Sequence, residues 1–300
     1  MTNRLYISTL LVLLLAIGCN PRSPVISNWP SYIADHESWQ EQRLARLKSE
    51  RGWLNLAGLF WLEEGANTFG SDSVNNLLFP AHFPPNGGTL TLQDSTLLLE
   101  VAEQVDILAD GEPVKNITVR HDQQPGTTIM ELGSFRWYVI QRGEQYGIRL
   151  RDLEHPRLEA LEEIPSYPFS KKWVVEATFH PYDSVRKIEV PTVIDNFSEW
   201  YDVPGELKFR VNGKMQTLLP FRSGDGFFLI VGDTTNGLET YGAGRFLYCG
   251  DVQDGKVTID FNRAYNPPCA FSPFATCPLP PMQNILDIEI DAGERAVHLE

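Results

Sequence analysis

Positive charge is scarce in this chain. Its 300 residues hold 25 Lys and Arg against 39 Asp and Glu, a formal net charge of −14. The basic residues form no stripe; Lys171-Lys172 is one of a few scattered pairs. Binding along a nucleic-acid backbone needs a positive field, so nucleic acid is excluded as a partner. The same deficit argues against a charge-driven hold on anionic lipid. Long apolar runs are lacking too. Leu10 to Ile17 falls short of the ~20 residues that span a bilayer. The chain has no G-x-S-x-G, no H-E-x-x-H, no P-loop, and no G-x-G-x-x-G opening a helix. The six His, at 36, 82, 121, 155, 180 and 298, stand apart without ligand spacing, so neither a metal nor a cofactor is expected.

What is present begins with an address. Arg4 precedes the apolar run, and Ala16-Ile17-Gly18-Cys19 closes it, which reads as an export signal over residues 1–18. The pattern resembles a bacterial lipoprotein signal, which implies lipidation of Cys19. Asn20 after the cysteine then implies the outer membrane, facing the periplasm, with the membrane reached through the lipid alone. Without residues 1–18, 24 basic and 39 acidic side chains remain, a charge of −15. Residues 19–29 lack periodicity and read as a tether, leaving 30–300 as one β-rich domain.

Methionine is rare, at four residues, while 23 Gly and 21 Pro make turns frequent and favour strands with tight connections. Residues 32–48 carry Ile33, Trp39, Leu44 and Leu47 near helical spacing, with Ser31 as cap and with Glu41, Arg43 and Arg46 on the solvated side. From Thr89 to Arg151, apolar and polar residues alternate between turn signals. A second strand series follows Pro168, in which Asn212-Gly213 is the strongest hairpin signal. Glu154 to Pro165 connects the two series. The expected fold is mainly β, an antiparallel barrel or sandwich with an N-terminal amphipathic helix. Glu176, inside WVVEATF, either points outward or faces into a barrel.

Three cysteines remain beside Cys19. Cys269 and Cys277 bracket AFSPFAT and form the candidate disulfide, with Cys249 buried or pairing instead. C-x7-C is not a structural-zinc spacing. Polar residues inside or at the ends of apolar strands mark the candidate ligand site: Glu239, Tyr241 and Arg245, then Asp260, Asn262, Tyr265 and Asn266. Arginine with carboxylates, amides and phenols suits a small polar or anionic molecule. The same residues suit an envelope hydrolase or lyase, with Glu239 or Asp260 as base and Tyr241 or Arg245 as electrophile. A purely structural or assembly lipoprotein is the third reading, so whether the chain is an enzyme stays open.

Four stretches carry a resemblance. GWLNLAGLFWLEEGANTFGSD, YPFSKKWVVEATFHPYD, DTTNGLETYGAGRFLYCG and DFNRAYNPPCAFSPFATCPLPPMQNIL together resemble the bacterial and archaeal family known as domain of unknown function 1684, over nearly the whole mature chain. The resemblance implies a lipid-anchored member of that family. It supplies motif positions, from Thr235 to Asn284, and no activity.

Overall fold

The computed structural model describes residues 26–299; the signal segment, Cys19 and most of the tether lie outside the described residues. The chain enters through helix α1 (Trp29–Lys48). Its cap is Asn28, whose side chain accepts from the Ser31 N–H at 3.2 Å, and Pro30 sits in the first turn, where a missing N–H costs nothing. The expected Ser31 cap is thereby corrected. No helix among the described residues is long and apolar enough to cross a membrane.

Eleven strands follow: β1 (Leu56–Trp61), β2 (Gly65–Gly70), β3 (Leu77–Leu78), β4 (Gly88–Gln93), β5 (Thr96–Val101), β6 (Ile107–Ala109), β7 (Glu112–Val114), β8 (Asn116–Thr118), β9 (Met130–Leu132), β10 (Phe135–Arg142) and β11 (Gln145–Asp152). They build one sheet in the order β1-β11-β10-β9-β6-β7 and another in the order β3-β2-β4-β5-β8. Alternation sends Trp137, Val139, Ile148 and Leu150 inward to meet Phe69, Leu90 and Leu99 in one buried cluster. The opposite face of β10 and β11 carries Arg136, Tyr138, Arg149 and Arg151.

A connector containing the single-turn helix α2 (Arg157–Ala160) leads to the second strand series: β12 (Val174–Pro191), β13 (Ser198–Val211), β14 (Lys214–Leu218), β15 (Phe221–Ser223), β16 (Gly226–Val231), β17 (Arg245–Cys249) and β18 (Lys256–Asp260). These form two sheets, β14-β13-β12-β18 and β15-β16-β17. VVEATF and KIEV belong to one long strand, whose pairing shifts between Pro181 and Arg186. Glu176 points outward and pairs with Lys256 at 2.5 Å. Asn212 and Gly213 both have positive φ, +50° and +79°, as a two-residue hairpin turn requires. Trp173, Leu229, Ile259 and Ile290 sit in a core separate from that of the first strands. The fold is mainly β, with antiparallel sheets and one N-terminal helix. The Pro-Cys loop adds only single turns, at Phe261–Arg263, Pro268–Ala270 and Met282–Asn284.

Candidate functional site

β16 and β17 are joined by GDTTNGLETYGAG, and the candidate Arg245 opens β17. Gly244 before it has φ +83°, and a Cβ there would lie 2.7 Å from the Val231 carbonyl and 2.6 Å from Pro280, so the turn needs glycine. Arg245 is 2% exposed. It donates to Asp233 Oδ2 at 2.7 Å and to the carbonyls of Ile290 (3.0 Å), Glu294 (3.3 Å) and Ala292. Asp233 Oδ1 accepts from the Thr235 N–H at 2.9 Å and hydroxyl at 2.6 Å. Arg245 is thus spent tying the C-terminal segment to the sheet, with no face left toward solvent.

Asp260 and Asn262 form a second assembly, away from that pair. Asp260 caps the turn after β18 by accepting from the Asn262 N–H at 3.1 Å. Tyr32 of α1 donates to both Asp260 oxygens at 2.8 and 2.9 Å. The Asn262 amide donates to Tyr32 Oη and to the Ser170 carbonyl, both at 3.0 Å, and accepts from the Ser170 N–H at 2.9 Å. Burial, reinforced by the Asp260 charge, pushes the Tyr32 phenol well above its ordinary pKa. These bonds dock the helix on the second sheet.

Tyr265 and Asn266 form a third. Tyr265 pairs with Phe246 by reciprocal backbone bonds of 2.8 and 2.9 Å, which lays it beside β17. Asn266 donates its backbone N–H to Glu294 at 2.7 Å and its amide to the Arg295 carbonyl at 2.7 Å. Arg43 of α1 donates to the Asn266 carbonyl at 2.8 Å and grips Glu294. Its guanidinium lies 4.5 Å over the Tyr265 ring. The expectation that Arg43 is solvated is overturned, because its fork finds a carboxylate 251 positions away. Between α1 and β17 lies a cleft of about 400 Å3, lined by Trp39, Arg46, Trp53, Phe228, Tyr248 and Tyr265 among others. Tyr248 stacks near-parallel to Tyr265, 6.2 Å between centroids, and is 58% exposed.

No side-chain hydrogen bond or ion pair ties Glu239 or Tyr241 to Arg245, Asp260, Asn262, Tyr265 or Asn266. Glu239 is exposed, accepting from Tyr167 at 3.0 Å and facing Arg295 at 3.6 Å. Tyr241 lies by the cysteine pair; burial and the neighbouring Cys269 and Cys277 push its phenol up to about 12. The two cysteines are brought together as free thiols: the Cys269 N–H donates to Cys277 Sγ at 3.1 Å and the Cys277 N–H to Cys269 Sγ at 3.3 Å. The Cys277 hydrogen bond draws the Cys269 pKa down. Cys249 is buried in the second core, its thiol pushed up to about 12 by that burial. Among the described residues no three His, Cys, Asp or Glu side chains gather as a metal site.

Sequence reasoning missed the cleft's Trp39, Arg46 and Tyr248. A signal existed: Trp39, Arg43 and Arg46 fall at positions i, i+4 and i+7 of one helix face, and Phe246 and Tyr248 share one face of β17.

The comparisons add a family and no activity. No curated protein matches the chain. An uncharacterised protein of Haloarcula marismortui, solved by solution NMR, is 30% identical over 46% of this chain and 78% of its own, with a TM-score of 0.39. A phosphothreonine-dependent FHA domain is 14% identical over 31% of this chain and 92% of its own, with a TM-score of 0.22, too low to carry an argument. The family model described as "Protein of unknown function (DUF1684)" matches residues 159–295, which hold three of the four resembling stretches; GWLNLAGLFWLEEGANTFGSD lies outside, so the match is narrower than the resemblance over nearly the whole mature chain. Over residues 159–295 the chain belongs to that family of unknown function.

Proposed function

We propose that this is an envelope lipoprotein, anchored through Cys19, that binds a small molecule with a planar face and an anionic group in the cleft between α1 and β17. The observation that carries the reading is the exposed Tyr248 ring, stacked on Tyr265 at the cleft wall. Aromatic walls offer apolar area to a ring or the flat face of a sugar. Arg46 is exposed and in no ion pair among the described residues, so its charge is free for the ligand's anionic end. A hydrolase or lyase is less well supported. Both Asp260 oxygens accept from Tyr32, and Glu239 stands on the open surface, so neither is a free base beside a cavity.

A thermal-shift screen of polar metabolites tests the reading, run on the parent, on Tyr248→Ala and on Arg46→Ala. Both positions are exposed, so both variants fold. A compound that raises the parent melting temperature, and raises it less in either variant, supports the cleft as the site. If no compound shifts the parent, the reading falls and the structural lipoprotein replaces it.

A further inference from the structure

Alternation in β10 and β11 turns Arg136, Tyr138, Arg149 and Arg151 away from the core of the first sandwich, and the register sets Tyr138 opposite Arg149 and Arg136 opposite Arg151. Such a face ordinarily meets water. Here the segment before β1 and the Pro-Cys loop cover it, leaving Arg149 4% and Arg151 6% exposed. Their neighbours on this face have found anions: Arg136 pairs with Glu131 at 3.0 Å and Arg142 with Asp122 at 2.7 Å. Arg149 and Arg151 are in no ion pair among the described residues. Arg151 donates to Asn55 Oδ1 at 2.8 Å and to the Gly52 carbonyl. Arg149 has one long contact, 3.4 Å to Thr276 Oγ1, and its Nε has no partner at all. The Trp53 ring lies within 6 Å of both guanidiniums, at 5.6 and 5.8 Å, and supplies no countercharge.

Two adjacent guanidiniums without a carboxylate are costly to bury, and a half-partnered one is costlier still. Tyr138 reports the resulting field. Burial opposes its ionisation, yet the charges of Arg149 and Arg151 outweigh it and draw the phenol below its ordinary value. Beside the group opens a cleft of about 850 Å3, onto which Trp53, Tyr138 and Arg151 face. Its carboxylates do not fill the gap: Glu131 and Asp122 are paired, Asp110 accepts from the Ile129 N–H at 3.0 Å, and Glu50 is exposed.

We propose that this junction is a second site, separate from the α1–β17 cleft, that binds an oxyanion, a carboxylate or a phosphate group, with Arg151 and Tyr138 facing the ligand and Arg149 behind them. A planar guanidinium fork matches either oxyanion, and a low-dielectric wall strengthens the attraction.

The test uses the full chain in detergent, with inorganic phosphate, sulfate, succinate and chloride compared at equal ionic strength by thermal shift and calorimetry. Saturable stabilisation by phosphate, sulfate or succinate beyond chloride is expected, and the preferred anion separates a tetrahedral from a carboxylate ligand. Arg149→Met should abolish the effect while melting no lower than the parent in chloride, since it removes a buried unpaired charge. A merely structural Arg149 would melt lower and leave the anion response intact, which overturns the site. Tyr138→Phe keeps the packing and provides a second variant, with binding weakened roughly tenfold. Absence of any anion-specific shift in the parent overturns the proposal. So does phenolate absorbance at neutral pH that disappears in Tyr138→Phe, because Tyr138 would then be the arginines' own countercharge.

Discussion

Arg245 and Asp233 form a buried ion pair, 2.7 Å between Nη2 and Oδ2, with side chains 2% and 1% exposed. Nη1 and Nη2 also donate to backbone carbonyls of Ala292, Glu294 and Ile290, so the pair fastens the C-terminal segment to the start of β17. Removing one partner leaves an uncompensated charge in the core, a loss of about 3–5 kcal/mol. Arg245→Met and Asp233→Asn are each expected to lower the unfolding free energy, read from urea titration, by that amount and to leave ligand binding at the α1–β17 cleft unchanged. A change below about 1 kcal/mol in either would contradict the scaffold role.

His36 of α1 is 0% exposed, enclosed by the rings of Tyr32, Trp39 and Phe169, and neither ring nitrogen has a hydrogen-bond partner. Burial lowers its pKa, against the opposing pull of Asp260. Above about 6.5 the imidazole is neutral in both folded and unfolded chains and sets no pH dependence. Below that value the unfolded chain takes up a proton that the folded chain refuses, so stability falls as pH falls toward the depressed folded pKa, by at most about 1.4 kcal/mol per pH unit. His36→Phe should flatten this limb. Urea unfolding of both proteins at pH 7.5 and 5.0 checks it: equal losses in parent and variant would remove His36 from the acid response.

The cysteines separate by environment. Cys249 is buried with a thiol pushed up to about 12, whereas Cys269 is half-buried with a lowered pKa. Brief alkylation of the native protein at neutral pH should therefore label Cys269 ahead of Cys249. Oxidation should give a single Cys269–Cys277 crosslink, since the two already exchange N–H···S bonds. Peptide mass mapping reads both results, and a crosslink to Cys249 would refute the second.

Local signals decided what could be foreseen. Asn212-Gly213 dictates its hairpin because both positive φ angles belong to residues that tolerate them, and the alternating runs fix which residues of β10 and β11 enter the core. Distance along the chain hid the rest. Glu239, Arg245, Asp260 and Asn266 are all polar positions at strand or turn ends, but which side of a sheet each faces, and what covers it, depends on partners up to 251 positions away, as for Arg43 and Glu294. The I-R-L-R stretch of β11 reads as an alternating strand with a wet face, and only the covering segment before β1 and the Pro-Cys loop make Arg149 and Arg151 buried.

Asn284, at the end of that loop, stands in for a strand. It is 0% exposed; its Oδ1 accepts from the Leu219 N–H at 2.7 Å and its Nδ2 donates to the Leu219 carbonyl at 3.0 Å, while its own carbonyl accepts from the Gly232 N–H at 2.9 Å. Asn284→Ala would strand both Leu219 groups in the core, for a loss of about 2–4 kcal/mol. Asn284→Asp separates donor from acceptor. An ionised carboxylate still accepts from the N–H but repels the carbonyl, whereas a protonated one donates to it and restores the pair. Burial raises the folded pKa of that carboxyl above the ordinary value near 4, so the variant's deficit should be least below about pH 4 and grow as pH rises through the folded pKa. Denaturant midpoints of Asn284→Asp and parent across pH 3.5 to 7 measure the difference. A deficit that does not change with pH would mean that the side chain fills space there and bridges nothing.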